Sequence, residues 1–497
     1  MPNGKIHARL WRLIMATEEK KYLTQEEALL EAKALLGVKA EKALRDHLAE
    51  IGEDFYHWMA DLYVPRKCNC NNFDSEGNRI CLMPRDENGK CKCTGGGFYY
   101  SNSARDNEGY DIDIESTVQA IRFLQSTGML HKYSNNLRLA LPSQMQKDVI
   151  SYAKSLQDSE DGYFYHEQWG KKISPSRLGR DLGWATSIIK ELGDAPFWDT
   201  KNGHKGTLGA PSGVKTAEEG EVKDTSTWIA HFRTLEAFNE YIEAFDLKTR
   251  SYSCGNNLNA QTGQMKGRER YGIETGELVD SDGDGIADNG FIAHLRDRFN
   301  RDQLPENGLW QEDVCYHAVN GLMKITTSYC ALGLKINYPE AAFDSAMKMV
   351  LLDADEPDSQ NAYCSGSVSI YNPWSAMSAI ISNLRSFGED ELIAKLRAKL
   401  YDNAEALIRA TTKKVKKFKK EDGSFGYTWT YSPATSQGAP AAVPNTVEGD
   451  INGGTIAITG AWGPMCSAFG ISIPIYNEKD YESFITRLAK NAGYSLK

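Results

Sequence analysis

No apolar run in this chain approaches the roughly 18–20 residues that a membrane-spanning helix requires, so the sequence offers no transmembrane helix. An excess of positive charge is missing too. The 57 Lys+Arg stand against 67 Asp+Glu, a net charge of -10, whereas a general nucleic-acid binder needs a basic face to meet phosphates. Cysteine is sparse: ten in 497 residues is too few for a disulfide scaffold. Strand signals are scarce. Residues 1–21 lack the clean apolar segment of a secretory leader, because Leu10, Trp11, Leu13, Ile14, Met15 and Ala16 are interrupted by Arg12 and followed by Glu18, Glu19, Lys20 and Lys21. That stretch reads as a first helix. The compartment stays open: extracellular or periplasmic with a leader already removed, cytoplasmic otherwise.

What is present is an ordinary globular balance, 41% hydrophobic and 25% charged, which excludes global disorder. The length suits either about three average domains or one large repeat-built domain. Helix-length apolar patterns recur over 116–129, 144–156, 184–192, 227–245, 316–332, 340–352, 374–387, 390–408, 455–469 and 478–492. Within 227–245, Trp228, Phe232, Leu235, Phe238 and Ile242 keep helical spacing. The predicted fold class is all-α. Residues 1–95 read as a helical N-terminal extension with a Cys-rich loop, and 96–497 as the main domain.

Aromatic residues are abundant, with 24 Tyr, 17 Phe and 10 Trp, many beside Gly, Asn and Asp. Flat rings next to hydrogen-bonding groups suit a sugar, which has apolar ring faces and hydroxyl edges. Three segments put an acidic or amide residue and Gly ahead of aromatics: 157–164 (QDSEDGYF), 306–310 (ENGLW) and 421–427 (EDGSFGY). Glycine permits a positive φ in such a turn, and the aromatic folds back on the neighbouring helix pair. These turns resemble those of (α/α) toroids, in which helical hairpins close into a ring: the terpenoid cyclases and the glycan-degrading lyases and hydrolases. The resemblance covers roughly residues 96–497 and speaks for architecture more than for chemistry. The acid clusters of a terpenoid cyclase, DxDD or DDxxD, are absent; Asp111-Ile112-Asp113-Ile114-Glu115 matches neither. A heparinase-like lyase also carries a β-sandwich after its toroid, which the helical pattern at 478–492 does not supply.

The toroid resemblance implies a site on loops at helix starts. Candidate constellations are Tyr163 to Trp169 with Ser176, Arg177, Arg180 and Asp181; Asn256, Asn257 and Asn259; Trp310 to His317; and Tyr427, Trp429 and Tyr431 with Glu448, Asp450 and Asn452. A uronate-directed lyase must neutralise a carboxylate, remove the proton beside it and protonate the leaving oxygen. Asn257, Arg180, His166, Tyr316 and His317 offer those groups, with His317 expected to face the cavity and Tyr316 to be buried. Trp169, Trp310, Tyr427, Trp429 and Asp450 are candidate substrate contacts. A glycoside hydrolase would need two carboxylates about 5–10 Å apart, for which Glu312, Asp313, Glu448, Asp450 and Asp181 are available. A non-catalytic glycan-binding protein is the third alternative. The lysines at 413, 414, 416, 417, 419 and 420 either attract an anionic polysaccharide or form a solvated helix end.

Two metal signals stand apart. Asp280, Asp282, Asp284, Ile286 (through its carbonyl) and Asp288 occupy positions 1, 3, 5, 7 and 9 of a calcium loop, with Gly285 at position 6. The segment resembles the loops of dockerin-like and thrombospondin-type repeats. Phe291 stands at position 12 where a bidentate Glu belongs, so weak binding or a borrowed ligand is expected. Cys68, Cys70, Cys81, Cys91 and Cys93 cluster in one polar segment; they read as a structural zinc site or as paired thiols stapling a loop.

Overall fold

The computed structural model describes residues 22–67, 93–166, 168–214, 225–436 and 438–496. It is 57% helix and 4% strand, all-α as the patterns predict. The helices begin with α1 (Gln25–Leu36), α2 (Val38–Ile51), α3 (Asp54–Ala60), α4 (Asn102–Asp106), α5 (Ile114–Ser126), α6 (Leu137–Ala140), α7 (Ser143–Ser155) and α8 (Pro175–Glu191). There follow α9 (Leu235–Glu243), α10 (Leu247–Glu274), α11 (Phe291–Asp302), α12 (Tyr316–Leu332), α13 (Pro339–Leu351) and α14 (Val368–Ser386). The last are α15 (Asp390–Asp402), α16 (Ala404–Lys416), α17 (Ile451–Thr455), α18 (Ala461–Phe469) and α19 (Glu478–Ala492), with a π-helical stretch Ile456–Gly460 joining α17 to α18. Two short antiparallel pairs, Tyr63–Val64 with Gly97–Phe98 and Thr435–Ser436 with Ala439–Pro440, are the strand pairs of the described residues.

Helix starts follow from local chemistry. Asp113 caps α5 by accepting from Glu115 and Ser116 N–H, and Ser174 caps α8 ahead of Pro175. Both satisfy amides that have no partner inside the helix. The expected single helix over 227–245 is instead a 3-10 turn at Ala230–Phe232 followed by α9, because Thr234 accepts from Ala237 N–H and starts the helix there. The pattern at 390–408 likewise divides at Asn403 into α15 and α16.

The three glycine turns share one construction. Gly162, Gly308 and Gly423 all have positive φ. A Cβ would strike Asp199 O at 2.4 Å, Ala342 N at 2.3 Å and the Asp54 Cβ at 2.1 Å respectively, so only glycine fits. Two residues on, Phe164, Trp310 and Phe425 are buried. In two of the turns a glutamine closes the loop: Gln157 Nε2 donates to Gly162 O at 3.3 Å and Gln303 Nε2 to Gly308 O at 2.8 Å. Trp310 is thereby a core residue, its indole N–H on Phe299 O at 2.8 Å, and not a surface for substrate.

Helix α5 packs on α8, α8 on α10, α10 on α12, α12 on α14 and α14 on α18. The α17 end of the α17–α18 segment returns to α5. Outside this series α7 packs on α8, α11 on α10, α13 and α15 on α14, and α2 on α16. One hydrophobic cluster runs from Ala28 to Leu488, so residues on both sides of position 95 share a core. His47 of α2 lies fully inside it, stacked on Trp462 with centroids 5.2 Å apart and its Nδ1 2.9 Å from Thr412 Oγ1. Burial lowers its pKa from 6.5 to about 4. Because the folded value is depressed, this contribution to stability is complete above pH 6.5 and disappears as pH falls toward 4; the full span is worth about 3 kcal/mol. His47→Gln is expected to flatten the loss of unfolding free energy between pH 7 and pH 4.5, measured by urea titration; an unchanged pH slope would refute the assignment.

Candidate active site

Polar side chains from α5, α8, α10, α12, α14 and α17 converge on one another. On α5, Glu115 receives the Arg180 guanidinium of α8, with Nε at 3.1 Å. Gln119, one turn on, donates to Glu115 at 3.2 Å and to Asn452 of α17 at 3.0 Å. From α10 comes Tyr252, which neighbours Tyr427, Asn372 of α14 and Arg180. Helix α12 contributes His317 and Lys324. His317 meets the Tyr252 ring edge-on at 5.8 Å, and the Gln311 amide donates to its Nδ1 at 3.1 Å. Lys324 senses both Arg180 and Glu115. A cavity of about 290 Å³ opens beside Arg180, between α8 and α10, bordered by Trp184, Ser187, Asn259 and Arg122.

The electrostatics distinguish the two tyrosines. Burial raises the pKa of Tyr252, and the neighbouring Tyr427, Arg180 and Asn372 offset part of that rise. Tyr427 is pushed well above the ordinary range, by burial and then by Tyr252 itself. Both phenols are raised, Tyr427 the further of the two, so Tyr252 is the oxygen of the pair on which negative charge is better tolerated.

Beneath Arg180 a second guanidinium anchors the assembly. Arg177 is completely buried and meets Asp113 at 2.5 Å, Asp181 at 2.9 Å and Glu115 at 3.7 Å. Burial alone would raise Asp113, but Arg177 and the Ser116 hydroxyl hold it at about 2. Asp181, with fewer compensating bonds, is pushed up to about 7 by burial. Trp169 lies 4.6 Å over Arg177 and stacks on His166 at 4.1 Å. Both nitrogens of His166 are engaged by backbone, Nε2 with Ile112 O at 2.7 Å and Nδ1 with Gln168 N–H at 3.2 Å. His166 and Trp169 thus act as a cover for Arg177.

The remaining sequence candidates scatter. Tyr316 turns away from its neighbour His317: its ring lies 5.4 Å from the Lys414 amine and its hydroxyl faces Cys364. Asn257 is not on a loop, as the sequence suggested, but inside α10, with its carbonyl accepting from Gln261. Trp429 carries the Lys417 amine 4.5 Å over its ring and touches Phe418 and Tyr363. Asp450 caps α17, accepting from Gly453 N–H at 2.6 Å, Tyr427 N–H at 2.7 Å and Ser432 Oγ at 3.1 Å. Burial still pushes it up to about 6. Its role is to fix the Tyr427 backbone, not to meet a sugar. Glu448 is likewise spent on Ser101 and Ser103, while Glu312 and Asp313 are exposed.

The lysine run is occupied from within. Lys413 and Lys417 pair with Asp353 and Asp355, Lys416 with Glu50, and Lys414, Lys419 and Lys420 donate to backbone carbonyls. In the acidic loop, Asp280, Asp282 and Asp284 bring one oxygen each within 4.8 Å of the others. Asp280 is held by Gly283 N–H at 2.9 Å and Gly285 N–H at 3.0 Å. Asp288 instead takes the Ser281 hydroxyl at 3.0 Å. Phe291 is buried as the first residue of α11, and the nearby Glu269 accepts from Ala287 and Phe291 N–H, a helix cap rather than a borrowed ligand. Cys68, Cys70, Cys81 and Cys91 lie outside the described residues; Cys93, at their border, is buried.

No protein-family profile matches the chain, and neither a curated protein nor a solved structure does so. The candidate site therefore stands on its own geometry. Sequence reasoning missed Tyr252 and Lys324. Lys324 had a usable signal, since it and His317 are the charged or imidazole side chains of an otherwise neutral α12.

Proposed function

We propose that the chain is an (α/α) toroid that cleaves a uronic-acid-containing glycan by β-elimination. The toroid reading is supported by the order of helix neighbours, which starts and ends at α5. The lyase reading is carried by one observation: Tyr252 lies beside Arg180 and Tyr427, with His317 edge-on to its ring at 5.8 Å. Burial opposes ionisation of Tyr252 and the Arg180 charge offsets part of that cost; the phenolate, once formed, takes the proton from the carbon bearing the sugar's carboxylate. The electron pair of that C–H bond forms the new double bond, and the glycosidic C–O bond at the next carbon breaks. The leaving oxygen then takes a proton from the Tyr252 hydroxyl just formed or from His317.

A hydrolase reading needs a free carboxylate pair. Asp181, Glu448 and Asp450 are committed to structural partners, and Glu312 and Asp313 lie on the surface. The deciding experiment incubates the protein with acidic and neutral polysaccharides. Ultraviolet absorbance of an unsaturated uronate should rise with reducing ends on an acidic member. Reducing ends alone would identify a hydrolase, and binding without either product a glycan-binding protein.

We further propose that the loop 280–288 takes calcium weakly, in the roughly 10⁻⁴–10⁻³ M range of sites with few charged ligands. Millimolar calcium is expected to raise the melting temperature of the parent but not of the Asp282→Ala/Asp284→Ala variant. Equal shifts in both proteins would remove calcium from this loop.

A further inference from the structure

Lys324 belongs to none of the roles above. It lies one helical turn from Asn320 and two turns from His317, so the three share a face of α12. Gly255 of α10 faces its stem: a Cβ there would sit 3.0 Å from the Lys324 Cβ. The Lys324 amine feels the charges of Arg180 of α8 and Glu115 of α5, which are themselves an ion pair. Among the described residues it has neither a hydrogen bond nor an ion pair.

Two cations thus act on one another with Glu115 as the compensating charge, and Glu115 is already shared among Arg180, Gln119 and Arg177. Tyr252 lies one turn before Gly255 on α10, and burial raises its pKa; the pKa of His317, two turns before Lys324, is lowered by burial and Arg250, with Asp358 opposing. Buried on the same face, Asn320 Oδ1 has no partner among the described residues. An unpaired amine, a like-charged neighbour and an orphaned amide oxygen in one polar centre describe a place built around a group it does not itself contain. An anion bridging Lys324 and Arg180 relieves the repulsion, and a hydroxyl beside that anion satisfies Asn320.

We propose that Lys324 and Arg180 together form the receptor for the substrate's carboxylate, one oxygen to the amine and one to the guanidinium. This deepens the lyase reading and rests on it for the identity of the anion. A carboxylate seated there lies next to Tyr252, which is the relation β-elimination requires. Both cations also withdraw charge from the carboxylate and so acidify the adjacent C–H. Burial, reinforced by Arg180 and opposed by Glu115, brings the Lys324 pKa down to about 7, so the free receptor loses its second charge as pH rises through neutrality.

The test is acylation of the whole protein with acetic anhydride, followed by mass spectrometry of the peptide carrying Lys324. The probes are oligogalacturonate, oligoglucuronate, a neutral maltooligosaccharide, a sulfated oligosaccharide and inorganic phosphate. An oligouronide should slow Lys324 acylation about tenfold or more, and the neutral sugar should not. Lys324→Met, which keeps the length of the side chain, should weaken oligouronide binding about 10- to 100-fold, the scale of one charge-assisted bond. Lys324→Arg should recover part of that loss, which separates a lost charge from a damaged fold. Protection by phosphate or the sulfated sugar alone, or parent-like oligouronide binding by Lys324→Met, would overturn the receptor. Protection by an oligouronide without unsaturated product keeps the receptor and removes the lyase reading. Undiminished product formation by Lys324→Met does the reverse.

Discussion

Tyr252→Phe is expected to lower turnover on the acidic glycan by about 10²- to 10⁴-fold, the range for a lost acid–base group. The Michaelis constant and the unfolding free energy should change little. The substitution removes one oxygen and keeps the ring, which is what His317 touches at 5.8 Å. Tyr427 and Asn372 lose a polar neighbour, whose place a water can take. His317→Ala is the informative comparison, because the imidazole lies behind the Tyr252 ring and has Gln311 as its own partner. If His317→Ala proves the more damaging of the two, the imidazole moves the proton and Tyr252 only orients it. Near-parent turnover in Tyr252→Phe would remove the tyrosine from the chemistry altogether.

The sequence revealed what one helix or one turn decides alone. Helix α12 is legible at 316–332 from its apolar run alone, and the structure bounds it with Cys315, whose sulfur caps the start, and Gly333 in the left-handed region. The turns at Gly162, Gly308 and Gly423 were read because a positive φ selects glycine whatever surrounds it. Helix α10 was lost for the opposite reason. Its 28 residues hold four buried-side or cavity-side glycines and a set of amides, a composition that reads as loop. The glycines are there for close approach: a Cβ on Gly267 would meet Lys201 O at 2.0 Å. The amides reach across to other helices, as Asn256 does to Ser176 and Gln261 to Tyr241. Tyr252 was invisible along with the helix that carries it.

Residue type misled in the other direction at Trp310 and Asp450. An aromatic after glycine and a carboxylate before glycines look like a sugar platform and a catalytic acid. Both are equally what a buried turn and a helix N-terminus need, and nothing local separates the two uses. His317 and Tyr316 show how geometry resolves such a pair. Adjacent helical residues point about 100° apart, so the half-buried one meets Tyr252 while the other enters the core beside Lys414.

Arg177→Met should be the most destabilising single change at this centre, lowering the unfolding free energy by about 3–5 kcal/mol. The guanidinium has no exposure and three carboxylates around it. Removing it leaves Asp113, Asp181 and Glu115 facing one another without their shared cation. Asp181, already pushed up to about 7, can escape by taking a proton. Asp113 cannot do so cheaply, since it also caps α5 through the Glu115 and Ser116 amides. The damage should therefore pass to the start of α5, and through Glu115 to Arg180. Urea unfolding at pH 7 would measure the loss, and adding Asp181→Asn to Arg177→Met should recover part of it by removing one stranded charge. A loss below about 1 kcal/mol would mean that the three acids are compensated by something other than Arg177, and the network would have to be redrawn.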